Sequence, residues 1–313
     1  MINLQIVMSV PPLRKTLVFL ALAYGIAWTL GFSFFALGGR VHSGAFVVMA
    51  TLYMFAPATA AVITQKWIYK DPLRDLGLRM PRMPWLVVAW LLPVLLVVLA
   101  LALSFSIPGV SLITGLDDFI GKLGDHLPPE RLANLHRKLD HTILAKPGAL
   151  LLLSFAQVLI LGPSINALAG FGEELGWRGL LLRELEPLGF WKSSLVIGFL
   201  WGAWHLPVIV NGYNYPGHPL LGPVMMTLMT MLVSPLIGYV RLRAESVWAA
   251  AVFHGTFNAA AGLAVFFSGG NVLTVGITGV PGMITLLLAN VALWFYLREH
   301  RRATQPYAGP GPA

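Results

Sequence analysis

Long uncharged runs alternate along this chain with short basic segments, and the runs set the expected elements. The first covers 16–39, enough for a helix across a ~30 Å apolar core at ~1.5 Å per residue. It exceeds the ~7–15 residues of a signal-peptide core, so it reads as a retained span. A second run covers 41–65. The basic loop 66–82 follows, with Lys66, Lys70, Arg74, Arg79 and Arg82 against Asp71 and Asp75. Span three starts at Met83 and ends near Ile107-Pro108. The segment 109–146 is polar. Within it Leu132, Leu135, Leu139 and Ile143 recur at helical spacing, with Glu130, Arg131, Arg137, Lys138 and Asp140 off that stripe. This predicts an amphipathic helix, begun at Pro128-Pro129, on the membrane surface or over the bundle mouth. Residues 147–172 form span four. The run 193–240 is about twice the length of one span and carries a turn-rich stretch at 211–217. The run 246–297 is similar, broken at Ser268-Gly269-Gly270 and Pro281-Gly282. Eight spans are expected.

Composition agrees with that pattern. The chain is 57% hydrophobic and 11% charged, which implies an all-α polytopic membrane protein, here with the eight spans counted above as an eight-transmembrane-helix bundle. Three parts are expected: 1–147 with three spans and the loop helix, 148–300 as a membrane domain of spans four to eight, and 301–313 as a disordered tail. No cysteine is present, which excludes disulfides, thiolate chemistry and Cys-ligated metals. The net charge of +8 needs no nucleic-acid partner. With the N-terminus inside, 15 of the 21 Lys and Arg fall on the inner side, so both termini are expected in the cytoplasm of a multi-pass, bacterial plasma-membrane protein.

Candidate chemistry centres on Glu173-Glu174, followed by Arg178. On a helix Glu174 and Arg178 share a face, and Glu173 points about 100° away. A carboxylate deep in a bilayer costs roughly 2.5–3.5 kcal/mol, which favours a functional role. The alternative is a membrane-edge charge cluster that ends span four. His205 interrupts another apolar run, while His254 and Asn258 lie four apart on one helical face. A lone His in a span also serves as a packing residue. Extending span four to Arg183-Glu184 brings Glu173, His205, His254 and Asn258 to one layer, roughly 14–20 Å from the inner ends at ~1.5 Å per residue. Such a layer implies mutual hydrogen bonds, with donors such as His205 on Glu173, around a water-filled cavity. A carboxylate and an imidazole activate water. A second His and an Asn can stabilise an oxyanion. With no Cys and no Ser nucleophile set near the candidate histidines, this points to amide hydrolysis by water. Glu173, His205 and His254 are also zinc-ligand types, so a metal stays open, although no His-Glu-x-x-His occurs. His126, His136 and His141 do not make a metal site, since the last two are five apart and do not share a face.

Glu173-Glu174-x-x-x-Arg178, Trp201-x-x-x-His205 and His254-x-x-x-Asn258, in that order on separate spans, resemble the three motifs of the CAAX-type intramembrane endopeptidases. That family includes bacterial Abi or bacteriocin-processing proteins. The resemblance covers roughly 155–265. It implies a cavity open to the cytosol, with Glu173 and His205 activating water and His254 and Asn258 supporting the oxyanion. Glu174, Arg178 and Trp201 would support the site. The cofactor is either none or Zn2+, with the metal-free mechanism favoured. Trp201 stands where the family usually has Phe, which bears on substrate shape more than on chemistry. The implied partners are the lipid bilayer and a membrane-associated peptide or protein substrate, with no prenyl group indicated. Two other classes fit these residues: a non-catalytic scaffold or bacteriocin-immunity protein, and a proton-coupled transporter, which the lack of an internal repeat disfavours.

Overall fold

The computed structural model describes residues 13–300 apart from 42, 125, 126 and 128. His126 and the tail 301–313 lie outside the described residues. The chain is an all-α polytopic membrane protein. Helix α1 (Leu13–Ala36) leads to α2 (Gly44–Val62), which continues as a π-helix over Ile63–Ile68, and then to α3 (Met83–Ser104). Two short helices, α4 (Leu116–Lys122) and α5 (Pro129–Asp140), occupy the polar segment. Then α6 (Pro147–Leu161), α7 (Ala167–Glu174) and α8 (Leu182–Glu184) join through π segments at Gly162–Asn166 and Leu175–Leu181. The fourth span runs on past residue 172 to Glu184, as its extension to Arg183-Glu184 requires. Helices α9 (Phe190–Trp204), α10 (Leu206–Ile209), α11 (Leu221–Ala244), α12 (Val247–Ala261) and α13 (Val280–Glu299) complete the bundle.

Among the described residues seven helices are long and apolar enough to cross a membrane. The stretch expected as span five is α9, which has 15 residues and reaches further only by continuing into α10 across His205. Pro207 accounts for the break, because its ring removes a backbone N–H and disfavours straight helix before it. Past the break Val208 N–H bonds the His205 carbonyl at 3.1 Å, and the Trp204 carbonyl accepts instead from Tyr53 Oη at 2.5 Å and Trp28 Nε1 at 3.1 Å. Pro163 similarly lies within the Gly162–Asn166 π segment.

Large side chains such as Leu152, Ile160, Ile165 and Leu168 point outward, as expected of helices solvated by lipid. Since lipid is as apolar as a leucine face, close contact between small residues brings the helices together. A Cβ on Gly198 or Gly202 would stand 2.5 Å from the α11 backbone, at Met231 and Thr227. A Cβ on Gly172 would meet the Met54 carbonyl at 2.8 Å, and one on Gly176 would meet Pro57 Cβ at 2.6 Å. The Gly172-x-x-x-Gly176 pair thus seats the Glu173 turn directly on α2.

The two ends of the bundle differ. At one end Lys15 bridges Asp71 (2.8 Å) and Glu184 (3.1 Å), and Arg82 pairs with Glu245 beside the α11–α12 turn. The loop after α2 is tied to that turn by Val247 N–H donating to the Gly77 carbonyl at 3.0 Å. At the other end β1 (Ser111–Leu112) pairs antiparallel with β2 (Phe267–Ser268). Tyr215 Oη there donates to the Thr278 carbonyl at 2.9 Å. The expected amphipathic helix is α5, with Leu132, Leu135 and Leu139 half-buried and its charged residues exposed. His136 within it contacts Asp117 at 2.9 Å.

Candidate functional site

A cavity of about 390 Å³ lies between α2, α7, α9, α11 and α12, and Glu173, His205, His254 and Asn258 all line it. The membrane-edge alternative for Glu173-Glu174 fails here, because the two side chains are 2% and 0% exposed within the bundle.

Glu173 Oε2 accepts a hydrogen bond from the Trp201 indole Nε1 at 2.6 Å. An ionised acceptor makes this a strong class of hydrogen bond. The donor seen on Glu173 is thus Trp201, where a His205 contact was expected. The His205 ring is turned by its own helix: Nδ1 lies 2.8 Å from the Trp201 carbonyl. A carbonyl only accepts, so Nδ1 carries the proton, and Nε2 is the basic nitrogen of the neutral ring. Trp204 packs edge-on against that ring, with centroids 4.9 Å apart.

His254 Nδ1 donates to Glu174 Oε1 at 2.9 Å, and the same oxygen accepts from Arg178 Nη1 at 2.9 Å. Arg178 Nη2 reaches Ser234 Oγ at 3.2 Å, and the guanidinium lies 4.6 Å from the centre of the Trp201 ring. One buried chain therefore runs from Ser234 through Arg178 and Glu174 to His254. A second runs from Arg178 over Trp201 to Glu173. The expected Glu174–Arg178 pair is present, and it also holds a cavity histidine by its ring.

Sequence reasoning did not single out Ser234, Tyr53, Tyr213, Met226 or Met229. Tyr53, Tyr213 and the two Met line the cavity with Phe46, Val208 and Phe257. Nothing in their spacing distinguished them from lipid-facing residues. Ser234 sits next to Pro235 inside α11, a weak signal at best.

Among the described residues no three His, Asp or Glu side chains stand together as a metal-ligand set. Glu173 Oε2 and the Nδ1 atoms of His205 and His254 already have protein partners. Nε2 of each ring and Oε1 of Glu173 remain, but these groups are not gathered as a zinc-ligand set among the described residues.

Exposure rises along the cavity. Glu173 and His254 are 2% and 3% exposed, His205 is half-buried, and Asn258 and Asn214 are exposed. The rim includes Phe46 early in α2, Asn214 in the turn after α10, Gly262 just past α12 and Thr278 just before α13. These positions belong to the end of the bundle opposite Leu13 and His300.

Residues 155–260 match the family described as Type II CAAX prenyl endopeptidase Rce1-like. A curated protein named CAAX prenyl protease 2, from Methanococcus maripaludis, is 41% identical over 51 residues, covering 15% of this chain and 19% of that protein. The similarity to the CAAX prenyl endopeptidases thus lies in the segment, 155–260, that brings Glu173, Trp201, His205, His254 and Asn258 to one cavity.

Proposed function

We propose that this protein is an intramembrane endopeptidase that hydrolyses a peptide bond of a membrane-associated peptide or protein C-terminus. The observation that carries the reading is one cavity holding a carboxylate, the basic Nε2 of His205, and two further polar groups, His254 and Asn258, within the family-like segment. A water between Glu173 and His205 Nε2 loses its proton to Glu173 as it attacks the carbonyl carbon. The carbonyl oxygen becomes an oxyanion, to which Asn258 and His254 Nε2 donate. For His254 this requires the doubly protonated ring, whose charge faces the Glu174 carboxylate bonded to Nδ1. As the C–N bond breaks, the proton on Glu173 passes to the leaving amine, so the site returns to its starting state. Trp201 and the Arg178–Glu174 pair position these groups and do not exchange protons. No step runs through a metal.

The cavity suits a short peptide segment with an apolar side chain set against Met226, Met229 and Phe257. The α9–α10 stretch serves as span five, which brings the count to eight, and 148–300 forms the catalytic unit, to which α2 adds one wall. The test is cleavage of an internally quenched apolar peptide by the purified protein in detergent. Turnover that vanishes in a folded Glu173→Gln variant supports the reading. Substrate uptake into proteoliposomes with no cleavage would instead favour a transporter.

A further inference from the structure

The rim residues and the basic residues lie at opposite ends of the bundle. At the rim end the short connections 37–43, 210–220 and 262–279 carry a single Lys or Arg, Arg40. At the other end the loop 66–82 alone carries five, and Arg14, Lys15, Arg183, Lys192, Arg243 and Arg298 join them. The polar segment 109–146 adds Lys122, Arg131, Arg137, Lys138 and Lys146 to the rim end. Asp117, Asp118, Glu130 and Asp140 are interleaved with them, and the excess still lies at the opposite end. Lys and Arg in short loops set membrane orientation because they resist translocation, whereas acidic residues contribute little.

We propose that the cavity opens on the extracytoplasmic face of the membrane, with the basic loops in the cytoplasm. The catalytic layer is then reached from outside through the rim of Phe46, Asn214, Gly262 and Thr278. The substrate class follows, and this step rests on the peptidase reading above: a peptide bond in a membrane-anchored chain whose cleaved part has already crossed the bilayer. Translocation or membrane insertion must supply that substrate before hydrolysis. A C-terminus that remains in the cytoplasm would not reach Glu173. The β1–β2 pairing ties the start of the 109–146 segment, which carries α5, to the 262–279 connection at the rim end.

The chain has no cysteine, so single substitutions report without background. Asn214→Cys marks the rim, and Arg74→Cys marks the opposite loop, where the native side chain is 84% exposed. Intact cells are treated with a membrane-impermeant maleimide before and after permeabilisation. Full labelling of Asn214→Cys in intact cells, with Arg74→Cys labelled only after permeabilisation, is expected. Labelling of Arg74→Cys in intact cells, or of Asn214→Cys only after permeabilisation, overturns the proposal. In a second arm, an internally quenched apolar peptide bearing an impermeant sulfonate is added to sealed vesicles of either orientation. Cleavage confined to right-side-out vesicles supports the proposal, and cleavage confined to inside-out vesicles refutes it. If neither preparation cleaves while labelling is as expected, the sidedness stands and the peptidase reading is what fails.

Discussion

At the scale of single residues, the account assigns separate tasks to groups that touch one another. Glu173→Gln keeps the side-chain shape and the contact with Trp201 but removes the base, so turnover should fall to background in a protein of normal yield. Asn258→Ala removes one donor to the oxyanion, which typically costs about 10²–10³ in rate and leaves measurable cleavage. Trp201→Phe is informative because an aromatic ring remains and only the indole N–H to Glu173 is lost. A hydrogen bond to a charged group is worth about 1.5–3 kcal/mol, so kcat/KM should drop by about 10–100-fold with the fold intact. A Trp201→Phe enzyme with unchanged kcat/KM would show that this contact is incidental. The four cavity residues were legible in the sequence because charged and strongly polar groups inside apolar runs are costly and therefore stand out. Trp201 was legible as a supporting residue only through the motif resemblance; its N–H contact with Glu173 was not, since an aromatic residue in a membrane span carries no mark that its N–H has a partner.

At the scale of elements, positioning depends on buried polar chains and close helix crossings. Arg178→Ala leaves the Glu174 carboxylate buried beside His254 without its cation, a loss of about 3–5 kcal/mol for a broken buried pair. Folded yield should fall sharply. Exchanging the two charges should not restore activity, because the exchange sets a guanidinium against His254. At the α9–α11 crossing, Gly198→Ala forces a methyl group onto the Met231 backbone and should cost about 1–3 kcal/mol, read as a lowered Tm in detergent. The helix boundaries were the least legible part. The uncharged run alone ends span four at residue 172, and only the shared layer of polar residues carries it to Arg183-Glu184; the helix does continue to Glu184, burying Glu173, Glu174 and Arg178. Outside the spans, the hydrogen bond from the Lys15 ammonium to Asp71 holds that carboxyl below its ordinary range. A lowered folded-state value adds stability above the unfolded value and loses it as pH falls through the folded one. The stability difference between wild type and Asp71→Asn should therefore be present at pH 7 and disappear in acid below about pH 4. A difference that persists in acid would mean that Asp71 acts through something other than its charge.

At the scale of the whole molecule, the membrane class and the approximate span count follow from uncharged runs alone, because a bilayer core admits little else. The direction of the cavity mouth could not be read that way, since it depends on where α2, the 211–217 turn and the 262–279 loop meet, which no local pattern encodes. A reporter fused at Ala313 should report the cytoplasm and one inserted within 129–138 the outside; the reverse would invert the molecule. Above all of this stands one claim, that the cavity around Glu173 hydrolyses peptide bonds. The most direct measurement is mass-spectrometric detection of both cleavage products when the purified, metal-stripped protein and its Glu173→Gln variant are incubated with an apolar peptide library. The account predicts discrete product pairs, made in 18O-water with label at the new carboxyl end, from the wild type and none from the variant. Equal cleavage by a folded Glu173→Gln protein would contradict it.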